Sequence, residues 1–138
     1  MLRVVVDPGV LIAALISAEG APARILARWA EGHFDLVVSP TLLDELARVL
    51  ARPKFRSYAT EDDVRGYVEA LRRQALCVDD PAEVEAGLTP DPGDDYIVAL
   101  ARSADAHAIV SGDPHLTELE GAEPPVLVPQ EFLARLAG

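Results

Sequence analysis

The stretch DPGDDYIVALA, residues 91–101, sets three aspartates and a Pro-Gly pair directly before an apolar helical pattern. Asp91, Asp94 and Asp95 repel one another, and their concentration at a helix start suggests that something cationic belongs there. In a helix over 92–105 the apolar stripe runs through Ile97, Ala101 and Ala104, flanked by Val98 and Leu100. Asp94 lies three and four residues before Ile97 and Val98, so it continues the buried stripe by one turn, whereas Asp95 points to the opposite side. An N-cap role for Asp91 and a dipole-complementing role for Asp95 account for those two residues. Asp94 is harder to place, because a carboxylate aimed at the core is costly unless it is paired or metal-bound.

Three more acids raise the same question. In SPTLLDELARVLAR, Ser39 suits an N-cap, Pro40 suits the first helical position, and Leu42, Leu46, Val49 and Leu50 form the apolar stripe. Glu45 borders that stripe, while Asp44 is on the far side, four residues before Arg48, where a surface ion pair is expected. Asp7 ends the strand-like LRVVV, and Asp113 follows HAIVS in the sequence SGD. Taken singly, Asp7 reads as a helix N-cap followed by Pro8, Asp113 as a turn residue before Pro114, and Glu45 as a boundary residue. Taken together, Asp7, Glu45, Asp94 and Asp113 are two strand-end aspartates and two acids turned inward from helices. Carboxylates gathered this way suit magnesium or manganese, hard cations that prefer oxygen ligands.

The elements that must position these acids alternate. LRVVV (2–6), DLVV (35–38), HAIVS (107–111) and VLV (126–128) read as buried strands, with LCV (76–78) a weaker one. Helical patterns lie near 9–18, 22–31, 40–51, 61–75, 92–105 and 129–137. Alternating strands and helices predict a single-domain α/β sandwich over 1–138 with a central parallel sheet of four to five strands. The carboxyl ends of such strands are where sites form. The Pro- and acid-rich DDPAEVEAGLTPDPGDD (79–95) reads as a connection inside that domain.

Composition narrows the possibilities further. Half the residues are hydrophobic and a quarter charged, too apolar a mixture for disorder. The net charge of -11 argues against a grip on nucleic acid through bulk charge, without excluding a nuclease whose acids hold metal ions. No apolar run reaches the length of a membrane span, and LRVVVDPGVLIAALISA is broken by Asp7, Pro8 and Gly9, so it reads as strand, turn and helix rather than a signal peptide. The single Cys77 excludes an internal disulfide, fits a reducing cytoplasm and reads as a core residue. His33, His107 and His115 lack metal-ligand spacing and read as structural. There is no GxGxxG, Walker loop or GxSxG. Arg48, Arg52, Lys54 and Arg56 cluster after the Glu45 helix, either complementing its dipole or forming a local phosphate-steering patch.

In this order, VVVDPGVLIAAL, SPTLLDELARVL, DPGDDYIVALA, AHAIVSGDPHL and VLVPQEFLARL resemble the PIN domain, specifically the bacterial proteins related to VapC toxins. The resemblance spans nearly the whole chain and implies a parallel sheet flanked by helices and a metal-dependent ribonuclease. Its four acids fall on Asp7, Glu45, Asp94 and Asp113, which would hold Mg2+ or Mn2+ and hydrolyse an RNA phosphodiester. It also implies a cognate antitoxin and a homodimer. One departure stands out: Pro8 and Gly9 replace the Thr and the Asn or Ser that usually follow the first aspartate and orient the acids. This predicts weaker catalysis, and it motivates a rival in which the chain is a PIN-fold binding protein. A second rival, a phosphoryl-transfer or receiver domain, fits poorly. A phosphatase of that kind needs an Asp where Gly9 stands, and a receiver needs a late lysine, but the last is Lys54.

Overall fold

A computed structural model of the chain describes residues 1–137. The three inner strands, β1 (Arg3–Val6), β2 (Asp35–Val38) and β4 (Ala108–Val110), are apolar runs with no inside–outside alternation. Val4, Val5, Leu36, Val37, Val38, Ile109 and Val110 are all fully buried, as strands covered on both faces must be. Two-residue strands close the edges: β3 (Leu76–Cys77) pairs with β2, and β5 (Val126–Leu127) pairs with β4. Edges this short leave little unpaired backbone for another chain to pair with. All five strands are parallel, in the order β3-β2-β1-β4-β5. The fold is therefore the expected α/β sandwich with a central parallel sheet.

The helices between the strands are α1 (Pro8–Ile16), α2 (Ala21–Ala30), α3 (Pro40–Leu50), α4 (Glu61–Gln74), α5 (Pro92–Ser103), α6 (Pro114–Thr117) and α7 (Pro129–Ala137). Each sequence-predicted helix is present to within two residues; the short α6 and a 3-10 turn at Pro53–Phe55 are additions. Parallel crossovers are right-handed. The chain steps from β1 to β2 to β3 in one direction and then returns past β1 to β4 and β5, so the connecting helices fall on opposite faces. On one side α1 packs with α2 and α3, α2 with α7, and α3 with α4; α5 packs on β1 and β4. No single helix among the described residues is long and apolar enough to cross a membrane.

The connection before α5 is the long irregular one, and two acids tie it down. Asp80 accepts hydrogen bonds from the Thr41 amide (3.1 Å) and hydroxyl (2.8 Å) at the start of α3, and from the Tyr96 hydroxyl of α5. The Tyr96 hydroxyl also meets the buried Ser39 hydroxyl at 2.6 Å. Asp95 lies on the side of α5 opposite Asp94, as expected, but not at the surface. It is buried and accepts the N–H groups of Thr89 (2.7 Å) and Gly87 (3.1 Å). Burial works to raise its pKa, but these amides hold it below the usual carboxylate value. Helix periodicity set the direction of Asp95 correctly; the loop folding back over that side of α5 was not visible to it. Asp95→Ala strands these amides and is expected to lower the melting temperature by several degrees, whereas the exposed Asp44→Ala should leave it unchanged. Equal melting curves for the two variants would show that the clamp contributes nothing.

Candidate metal centre

The sheet order reverses between β1 and β4, and the crevice beyond their carboxyl ends is where ligands bind in open α/β sheets. A cavity of about 550 Å³ opens there. Asp7, Glu45, Asp91, Asp94 and Asp113 all line it, with Ile12, Val49 and Ile97 among its apolar walls. All four acids isolated in the sequence thus face one space.

Each carboxylate is held differently. Asp7 caps α1 by accepting the Gly9 N–H with Oδ1 (3.1 Å), and its Oδ2 accepts the Ser111 hydroxyl (2.6 Å). The same Ser111 oxygen accepts the Asp113 N–H at 3.0 Å, so one buried hydroxyl ties the end of β1 to the loop after β4. Asp113 caps α6 through the His115 N–H (2.9 Å). That amide, ahead of the opposing effect of burial, lowers its pKa. Asp91 caps α5 through the Gly93 N–H (2.8 Å). Asp94 caps nothing. It is 7% exposed, and its Oδ2 is buried without a hydrogen-bond partner among the described residues. Burial is the main cause that pushes its pKa up to about 7, followed by a hydrogen bond to Asp113 that needs the protonated form, and by the charges of Asp113, Asp7 and Asp91.

Glu45 differs from the aspartates, being partly exposed at the cavity wall with Arg48 Nη2 3.4 Å from its Oε1. Arg48 therefore pairs with Glu45 three residues away, not with Asp44 as expected; both spacings lie on adjacent turns, and periodicity alone does not choose between them. Arg56 folds back to donate to the Leu50 carbonyl at the end of α3, and Lys54 lies 5.1 Å over the Phe55 ring. Cys77 is exposed on the edge strand, not in the core. His107 is structural, its Nδ1 accepting the Arg3 N–H at 2.9 Å. His115 lies beside two of the acids: its Nδ1 is 3.7 Å from Asp113 Oδ1 and 3.9 Å from Asp94 Oδ2. The available signal was its position two residues after Asp113 across Pro114, where the first turn of α6 brings the side chain back.

The PIN domain profile matches residues 3–115. The chain belongs to the PIN domain family. No curated protein matches the chain. Two solved structures share this PIN fold. The crystal structure of PAE2754 from Pyrobaculum aerophilum superposes with a TM-score of 0.71 at 16% identity, covering 99% of this chain and 90% of that one. That of VapBC2 from Rickettsia felis, bound to a DNA fragment from their promoter, gives a TM-score of 0.68 at 12% identity, covering 92% and 98% respectively.

The PIN family implies a divalent metal, and the residues present fit one. The donors facing the cavity are carboxylate oxygens, the type that hard cations take. The bare Asp94 Oδ2 is a buried acceptor that the protein itself leaves unsatisfied. Without an ion, ionising Asp94 costs folding energy. A carboxyl whose folded pKa is raised favours the native state below its unfolded pKa of about 4 and loses that advantage as pH rises through about 7. In EDTA, Asp94→Asn is therefore expected to match the wild type near pH 4 and to exceed its stability by on the order of 2–4 kcal/mol above pH 7. Melting curves from pH 4 to 8 check this, and a pH-independent difference between the two proteins would contradict it.

Proposed function

We propose that this PIN domain is a metal-dependent ribonuclease that hydrolyses RNA phosphodiester bonds with Mg2+ or Mn2+. The observation that carries the reading is the unpartnered, buried Asp94 oxygen in a cavity lined by four further acids. Asp7, Asp94 and Asp113 would hold the ion, with Glu45 completing the pocket. When bound, a divalent ion supplies positive charge against the phosphate oxygens and acidifies water at the site. The chain's own residues set the geometry. Ser111 orients the Asp7 carboxylate, the α5 cap at Asp91 fixes the turn from which Asp94 projects, and Ile12, Val49 and Ile97 wall the cavity beside them.

The same reading makes the protein the toxin of a toxin–antitoxin pair, acting in the cytoplasm and paired as a homodimer. Support comes from the Rickettsia felis VapBC2 neighbour, whose fold it shares. An acidic cavity is also complementary to a basic side chain supplied by a cognate antitoxin. A small adjoining open reading frame with a DNA-binding motif, whose product suppresses toxicity in co-expression, is the expected outcome; full toxicity alongside every adjoining product would count against it.

One observation favours the rival binding protein. The turn Pro8–Gly9 offers Asp7 only the Gly9 backbone N–H. A Cβ at Gly9 would lie 3.8 Å from Asp7 Oδ1, ordinary contact distance, so a side chain fits there. Purified protein is expected to cleave RNA slowly at millimolar Mn2+ and not in EDTA. Gly9→Asn should raise the rate by up to about tenfold, the scale on which groups that orient ligands act. If the substituted turn binds metal tightly yet remains inert on every RNA tried, the binding-protein reading is the correct one.

Side-chain direction supplies a second test. Glu45→Gln and Asp94→Asn are expected to lose more than the roughly 100-fold that outer orienting groups cost. The outward-facing Asp44→Asn should stay within a factor of two of wild type, by the same rate measurement. Sensitivity at Asp44 with tolerance at Glu45 would remove α3 from the site.

A further inference from the structure

His115 stands apart from the four acids as a nitrogen donor at the same end of the sheet. Its side chain is about half exposed, so packing does not dictate its place. Its own N–H is bonded to Asp113 Oδ1, which fixes the residue relative to that carboxylate. Nδ1 then lies 3.7 Å from Asp113 Oδ1 and 3.9 Å from Asp94 Oδ2. Both separations are too long for hydrogen bonds. Two ligands of one ion at about 2.1 Å lie roughly 3 Å apart when adjacent and roughly 4.2 Å apart when opposite. Both measured separations fall inside that interval. The Asp94 oxygen involved is the buried one without a partner, on a residue more than nine-tenths buried, and the three donor atoms lie within 4.8 Å of one another.

We infer that His115 is a nitrogen ligand of this divalent-ion site, making it a mixed oxygen–nitrogen centre that prefers manganese and cobalt to magnesium. The inference rests on the metal-ion reading above and adds to it the identity of a ligand and of the favoured ions. Magnesium takes oxygen donors and gains little from an imidazole, whereas affinity for imidazole-containing sites rises along the first-row series. The earlier expectation of an oxygen-only site, open equally to either ion, is thereby narrowed.

The test uses wild-type protein with Mn2+ alone and pulsed paramagnetic resonance. A 14N coupling of a directly bound imidazole is expected, converting to the 15N pattern when histidine is 15N-labelled. His107 and His33 do not confuse the assignment: the first uses its Nδ1 at the opposite end of β4, and the second sits beside Glu31 after α2. In calorimetric titrations, His115→Ala is expected to weaken Mn2+ by about tenfold or more while Mg2+ changes less than about threefold. Bound Mn2+ with no nitrogen coupling, or equal losses for both ions, overturns the inference and leaves the metal site standing. Failure of the wild type to bind any of Mn2+, Co2+ and Mg2+ overturns the metal reading itself. Because the coupling is read on the wild type, the outcome does not depend on how well the variant folds.

Discussion

Strands β1 and β4 lie side by side at the centre of the sheet, yet the chain leaves them in opposite directions. Right-handed crossovers force this: strands added on either side of β1 send their helices to opposite faces, so the loops after β1 and β4 must part. The gap they leave is the cavity. Asp7 stands on one lip, Asp113 on the other, and the Ser111 hydroxyl crosses between them, bonding the carboxylate of the first and the amide of the second. Helix α5 packs on the same two strands and delivers Asp94 into the gap from its first turn. The site's geometry thus follows from strand order, with one buried serine joining its two halves.

Three helices begin at this end with the same device. Asp7–Pro8–Gly9, Asp91–Pro92–Gly93 and Asp113–Pro114–His115 each place an aspartate at the N-cap and a proline at the first helical position. Proline brings no N–H of its own, and the carboxylate reaches the amide one residue further on. Each of these capping acids also lines the cavity, so a residue that starts a helix is at the same time a wall of the site. Structural and chemical duties are therefore not rivals at these positions: the amide that each acid caps also fixes where its carboxylate lies. Asp94 has no amide to cap, and it is the acid whose pKa climbs.

Element boundaries and the choice of Asp94 over Asp95 for the cavity were legible because both rest on helix and strand periodicity, which depends only on neighbours along the chain. Features that depend on remote segments were not. Asp95 leaves α5 on the predicted side, but the 79–91 connection closes over it and turns a surface acid into a buried clamp. Cys77 looked like core by its apolar neighbours, yet it lies on an edge strand two residues long. His115 carried no ligand spacing of its own, because the residues it approaches are Asp113, two positions away, and Asp94, across the fold. Periodicity says which way a side chain leaves its element. What it meets there is decided by topology.

Charge distribution sets the last constraint. A protein with net charge -11 cannot hold a polyanion by its overall field. The local basic cluster contributes less than its sequence promised: Arg56 closes the end of α3, Lys54 covers Phe55, and Arg48 is beside Glu45. On the proposed reading, the positive charge that meets the phosphate has to arrive with the ion. Capture of substrate and chemistry would then depend on the same occupancy, so RNA affinity should rise and fall with metal concentration. On that reading, the acids that make the surface repel RNA are the ones that, once neutralised, would bring it to the reacting position.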